Sequence, residues 1–190
     1  MKRFVVFVSI AASILLASAS ANAYLWGNLQ WPSSLTATAG IASENIYGRI
    51  YYEGYTDNSS SPVPGITAEV GYGPYLSDPT GNSNWVWTPA TLNLSYNFSS
   101  PDDEYVSQLT FSTGGTYSYT YRFSIDNGAN WLIADYGDGV SDTGTHPFNV
   151  SDLGYATVEG GSPVPIPGAV WLLGSGLVGL IAIRRKGRKN

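Results

Sequence analysis

Three aspartates stand close together in "DYGDGVSD", where Asp135, Asp138 and Asp142 share a Gly-containing loop. Hard cations such as calcium take several carboxylate and carbonyl oxygens, and a cluster of this kind supplies them. The spacing is not that of an EF-hand loop, and Asp-Gly runs also make ordinary turns. A plain turn is the simpler reading, with calcium the one cofactor the sequence suggests. The second chemically suggestive stretch is "WVW". On a strand, Trp85 and Trp87 share one face with Val86 on the other. Exposed, two indoles make a platform for sugar rings; turned inward, they are core, the commoner fate of large aromatics in a β-sandwich.

Nucleophilic catalysis finds little support. The single histidine, His146 in "DTGTHPFN", lies beside a proline in a polar loop, and no serine has a nucleophile-elbow pattern around it. With no cysteine in the chain, thiol catalysis and Cys-based metal sites are excluded. Paired carboxylates could hydrolyse glycosides, but fourteen acidic residues place some pair at a suitable separation by chance. The expectation is a protein that is not an enzyme.

The elements that must position these residues are strands and turns. "TYSYTYRFSI" sets Tyr117, Tyr119, Tyr121, Phe123 and Ile125 on one face. "TLNLSYNF" does the same with Leu92, Leu94, Tyr96 and Phe98, and "NIYGRIYYE" with Ile46, Gly48, Ile50 and Tyr52. Weaker strand patterns are "SLTATAG", "ITAEVGY", "WVWTPA", "EYVSQLTF", "WLIADY" and "YATV". Asn127-Gly128, between two strand patterns, is the strongest hairpin signal. The spacing predicts an all-β fold: an antiparallel immunoglobulin- or fibronectin-III-like β-sandwich of about eight strands.

Both ends differ from this middle. Met1-Lys2-Arg3, an apolar run from Phe4 to Leu16 and "ASASANA" have the layout of a secretory signal peptide, residues 1–23, cleaved after Ala23. The apolar run is short of the roughly 20 residues a spanning helix needs. The β-domain then covers 24–158, a linker 159–163, and a tail 164–190. All fourteen acidic residues lie in the middle against two basic ones, Arg49 and Arg122. A domain this acidic should repel nucleic acid and anionic lipid.

In the tail, sixteen uncharged residues run from Gly168 to Ile183. As a helix they span about 24 Å, marginal against a hydrocarbon core of roughly 30 Å. Arg184, Arg185, Lys186, Arg188 and Lys189 follow and should stay in the cytoplasm. Gly174, Ser175, Gly176 and Gly179, beside Trp171, form a small-residue groove along the single membrane helix, with Ser175 and Gly179 at small-xxx-small spacing. A proline-containing signature, Val164-Pro165-Ile166-Pro167, precedes the apolar run.

Signature, helix and basic end together resemble the PEP-CTERM tail, the sorting signal recognised by exosortase in Gram-negative bacteria that make exopolysaccharide. In that family the signature usually has Glu where this chain has Ile166. The resemblance implies an exosortase substrate that passes through the inner membrane transiently. It then reaches the cell surface or extracellular matrix, with exopolysaccharide as a candidate neighbour. A permanent membrane anchor is the alternative. The middle, from "WGNLQWPSSLTATAG" through "IYGRIYYEGYTD" and "GTYSYTYRFSIDNGANW" to "ADYGDG", resembles a recurring secreted bacterial β-sandwich accessory module. Some relatives of that module carry Cys at the positions of Gly27 and Ala134, which implies a bridge lost here. The expected function is structural or adhesive, with a carbohydrate-binding module built on Trp85 and Trp87 as the alternative.

Overall fold

A computed structural model describes residues 23–57, 61–96 and 99–161. The expected signal peptide lies outside these residues except for Ala23, and the whole of the sorting tail lies outside them. Among the described residues no helix is long and apolar enough to cross a membrane.

Among the described residues the fold is all-β, a curled mixed sheet of eleven strands. They are β1 (Leu25–Trp31), β2 (Ser34–Thr38), β3 (Ile46–Tyr52), β4 (Thr67–Pro74), β5 (Val86–Leu92), β6 (Asp103–Ser107), β7 (Gly115–Ser124), β8 (Leu132–Ile133), β9 (Asp135–Tyr136), β10 (Val140–Ser141) and β11 (Gly154–Glu159). The order along the sheet is β10-β1-β3-β6-β5-β4-β7-β11-β2, with β8 on β7 and β9 on β1. The curl comes from β5. Its residues from Val86 to Ala90 pair with β4, while Thr91 and Leu92 pair with β6. The sheet therefore folds back on itself and brings β1, β3 and β6 to face β4, β7 and β11. The expectation of purely antiparallel pairing is corrected: β1 runs parallel to β9, and β11 parallel to β2.

The core fills the space inside the curl. Leu29, Ile46 and Ile50 from one side meet Val70, Tyr119, Tyr121 and Phe123 from the other, all with no exposed surface. Period-2 alternation put the aromatics of β7 on one face. Their hydroxyls reach backbone acceptors across the core: Tyr121 Oη donates to Ile46 O at 2.7 Å and Tyr119 Oη to Pro32 O at 2.6 Å. Burial pushes both phenols well above the ordinary tyrosine range.

The middle of β7's other face is buried as well. Ser118 and Thr120 are 1% and 0% exposed. Ser118 Oγ accepts from Leu76 N at 2.9 Å and Thr120 Oγ1 donates to Ala134 O at 2.6 Å. The β4–β5 loop and the β8–β9 link thus cover the middle of this strand's outer face.

One strand expectation fails. "TLNLSYNF" continues β5 only through Leu92, and the chain then turns. Asn93 makes the turn: its Oδ1 accepts from Ser95 N at 3.1 Å and its O from Tyr96 N at 3.0 Å. The alternating pattern is real, but a side chain that bonds its own backbone two residues on competes with the ladder, and Leu94 is left 69% exposed. "WVWTPA", a weaker pattern, forms the body of β5. The Asn127-Gly128 signal does mark a tight turn. Both residues have positive φ, 59° and 90°, and Ala129 N bonds Asp126 O. The Asp126 carboxylate accepts from Asn130 N, Asn130 Nδ2 and Ser124 Oγ, which holds it down at about 2.

Gly27 and Ala134 stand beside each other, one step before the Asn28–Asp135 parallel pair. A Cβ at Gly27 would lie 2.8 Å from the Phe123 ring. The core aromatic occupies the room a cysteine side chain would need.

Candidate functional site

Trp87 in β5 and Trp85 just ahead of it form no open platform and stand apart from the main core cluster. They lie on the outer surface of the β4–β5–β7 half of the sheet. In the register Gly71 is opposite Trp87, and each indole lies over a glycine of β4. A Cβ at Gly71 would fall 2.4 Å from Trp87 Cε3, and one at Gly73 2.4 Å from Trp85 Nε1. The two glycines are thus what permits flat indoles on this face. The ring centroids are 5.5 Å apart with planes 24° from parallel.

The exposed platform, the alternative reading of Trp85 and Trp87, is therefore corrected, and the burial expected of large aromatics holds for Trp85. Trp85 is only 5% exposed, and its Nε1 donates to Ser77 Oγ at 2.9 Å. The loop between β4 and β5 folds over it. Trp87 is half-buried beneath Arg122, whose guanidinium carbon lies 4.2 Å from the Trp87 ring centroid and 4.1 Å from that of Trp131. Glu69, opposite Arg122 on β4, accepts from Arg122 Nε at 2.8 Å and Nη2 at 2.5 Å. The arrangement is a layered stack: Gly71, Trp87, Arg122, Trp131, with Glu69 clamping the cation from the side. Beside it a groove of about 290 Å³ remains open, lined by Pro79, Gly81, Asn82, Ser83, Trp85, Trp87 and Arg122.

A guanidinium suits this position because its plane can lie against two ring faces while its edge meets a carboxylate. Arg122→Lys is expected to cost about 1–2 kcal/mol, since an ammonium keeps the charge but loses the planar fit. The melting temperature should fall by roughly 3–8 °C, with a red shift in tryptophan emission. An unchanged melting temperature and spectrum would mean that the stack contributes nothing beyond charge.

The aspartates of "DYGDGVSD" are not assembled as a cation site. Asp135 is 4% exposed and its Oδ2 accepts from Asn149 N at 2.9 Å, while Asp142 Oδ1 accepts from Leu25 N at 3.2 Å. Asp138 lies between them in the loop, where its backbone O accepts from Trp26 Nε1 at 2.7 Å. Among the described residues no three His, Asp or Glu side chains are grouped to hold a metal ion. Asp138 O and Asp142 tie the loop to the start of β1, and Asp135 ties β9 to Asn149, ahead of the short helical turn Val150–Asp152. Burial raises the Asp135 carboxyl above its ordinary value, opposed by the bond from Asn149 N. His146 and Asp138 help to line a surface groove of about 670 Å³ here, together with Tyr136, Phe148 and Asp152.

Sequence reasoning passed over a second acidic group, "PDDE". Asp102 pairs with Arg49 at 3.1 Å and accepts from Tyr96 Oη at 3.1 Å and from Ser100 Oγ. Asp103 points the other way and is 1% exposed, and its Oδ2 has no hydrogen-bond partner. Burial first, and the Asp102 charge second, push the Asp103 carboxyl up to about 6. Three consecutive acids in a turn read as solvated; only the pairing of Asp103 with Ile50 turns the middle one inward. Arg122 stood out in the sequence only as one of two cations among many acids; its place between Trp87 and Trp131 left no local mark.

No model of a known protein family matches the chain, and no curated protein matches it.

Proposed function

We propose that this chain is an exported, non-enzymatic β-domain delivered to the cell surface or extracellular matrix by an exosortase-type sorting tail, where it serves structural or adhesive contacts. The observation that carries the reading is the order of features in the tail: the Val164–Pro167 signature, the apolar Gly-rich segment and the basic end, behind an N-terminal leader pattern. The exosortase is the enzyme and this chain its substrate. Deleting residues 164–190 should abolish the membrane-held intermediate and release the domain directly, whereas Pro165→Ala with Pro167→Ala should trap full-length protein in the inner membrane. Unchanged processing in the double variant would contradict a role for the signature.

The finer fold reading is an immunoglobulin-like sandwich. Supporting it, β1-β3-β6-β5 on one side and β4-β7-β11 on the other follow the order of first, second, fifth and fourth strands against third, sixth and seventh that defines such domains.

The second reading, glycan binding, is favoured by the groove beside Trp87 and Arg122. The ligand would be a neutral sugar chain. Arg122 is already neutralised by Glu69, and the surrounding domain, with its excess of acids, repels anionic polymers. Retention on neutral but not uronate-bearing polysaccharide, lost in Asn82→Ala with the fold intact, supports it. Equal passage through both matrices rules it out.

A further inference from the structure

The first strand begins where the leader pattern ends. Tyr24 N donates to Glu53 Oε2 at 3.1 Å, and Glu53 N returns a bond to Tyr24 O at 3.0 Å. The next residue is held from the opposite side. Leu25 N donates to Asp142 Oδ1 at 3.2 Å, and Asp142 N donates to Leu25 O at 3.0 Å. Two acidic residues, one after β3 and one after β10, thus clamp the start of the domain reciprocally. Asp57, in the turn after β3, is engaged by Gly54 N at 2.7 Å. The Tyr51 ring lies 6.1 Å from that of Tyr24. Besides His146, whose backbone bonds Ser141 beside Asp142, the described residues contain two arginines and no lysine, and both arginines are committed elsewhere: Arg49 to Asp102 and Arg122 to Glu69.

We infer that Glu53 is the receiving site for the mature N-terminus: cleavage after Ala23 creates an α-ammonium on Tyr24 that pairs with the Glu53 carboxylate. The inference rests on the export reading. In the cleavage, water adds its hydroxyl to the Ala23 carbonyl carbon and the C–N bond breaks. The Tyr24 nitrogen leaves as an amine, which is protonated at neutral pH. Before cleavage that nitrogen is a neutral amide with one N–H. Afterwards it is a cation with three, and a charge-assisted bond replaces a neutral donor's. Processing therefore adds to the folded domain a positive charge that its sequence lacks in this region. It fastens β1 to β3 at the point where the leader was removed.

A nearby carboxylate favours the protonated amine, and Asp142 and Asp57 act in the same direction; Tyr51, held neutral by burial and by Asp57 and Glu53, adds no charge. The α-amine should therefore titrate above its ordinary value of about 7.7–8.0. The stabilisation is present below that ordinary value and is lost as pH rises through the raised one.

The test uses the chain from Tyr24 to Asn190 in detergent, released from a fusion so that Tyr24 carries a free amine. The amine is 13C-dimethylated and titrated by NMR. The expected value is roughly half to one unit above the ordinary range, returning to that range in Glu53→Gln. A value within the ordinary range, or one that Glu53→Gln leaves unchanged, overturns the inference. N-terminal sequencing of the exported protein checks the premise separately. A first residue other than Tyr24 overturns cleavage after Ala23, whatever the titration of the Tyr24 chain gives.

Discussion

Gly48→Ala is expected to destabilise the domain by about 3 kcal/mol, the upper end of ordinary overpacking. Gly48 sits in β3 between Ile46 and Ile50 and faces the core. A Cβ there would lie 2.4 Å from Tyr121 Cγ and 2.6 and 2.8 Å from the two Cδ atoms. These are atoms at the base of the ring, which rotation about χ2 cannot clear, and a change of χ1 would swing a fully buried ring off its site. The far end is fixed too, by the bond from Tyr121 Oη to Ile46 O. Only a backbone shift of β3 or β7 makes room. Removing the ring should relieve the clash. Tyr121→Ala costs about 3–5 kcal/mol by itself, yet adding Gly48→Ala to it should cost little more. An additive loss of about 7 kcal/mol would unfold a domain of ordinary stability. Urea unfolding of the two single variants and the double variant separates these outcomes, and additivity would show that the glycine does not exist to admit the ring.

Asp103→Asn is expected to stabilise the domain at pH 7–8 by about 1–2 kcal/mol and to flatten its pH dependence. The folded-state carboxyl titrates at about 6, above its value near 4 in the unfolded chain. Such a group favours folding when protonated. With respect to Asp103, stability is greatest below about pH 4 and is lost as pH rises through about 6. Above that it carries a constant penalty of roughly 3 kcal/mol, part of which Asn escapes. Tyr105 shares the neighbourhood. Its hydroxyl is buried without a partner, and burial first, then the Asp103 charge, raise it to about 12. Urea midpoints between pH 4 and 8 should fall in the parent across this window and stay nearly level in the variant. A parallel fall in both would place the titration elsewhere.

The strands were legible where alternation and β-propensity agreed. Tyr117 to Phe123 in β7 and Ile46 to Tyr52 in β3 are of this kind, because a half-buried strand needs one apolar face and both segments have one. The sequence misled at Asn93, where one side chain bonding its own backbone outweighed four well-spaced apolar residues. It was silent about the switch of partners midway along β5, since a strand that leaves one neighbour for another does so without a compositional mark. The fate of the tryptophans could not be read from "WVW" alone. It depends on Gly71 and Gly73, fourteen and twelve residues upstream of Trp85, on Arg122, and on a loop that closes over the outer face. Long-range pairing of this sort leaves no local period. The same holds for Asp135 and Asp142, which look like neighbours in sequence but bond different segments, Asp135 the Asn149 amide and Asp142 the start of β1.

The central claim is that the chain is a sorted substrate whose tail is removed. The most direct test is intact-mass measurement of the surface or matrix form in cells with active exosortase, beside the form that accumulates when the exosortase is deleted. The account predicts a C-terminus within or close to Val164–Pro167 in the first case and an intact Arg184–Asn190 end in the second. Surface-exposed protein carrying the complete tail in cells with active exosortase would contradict it and make the tail a permanent anchor.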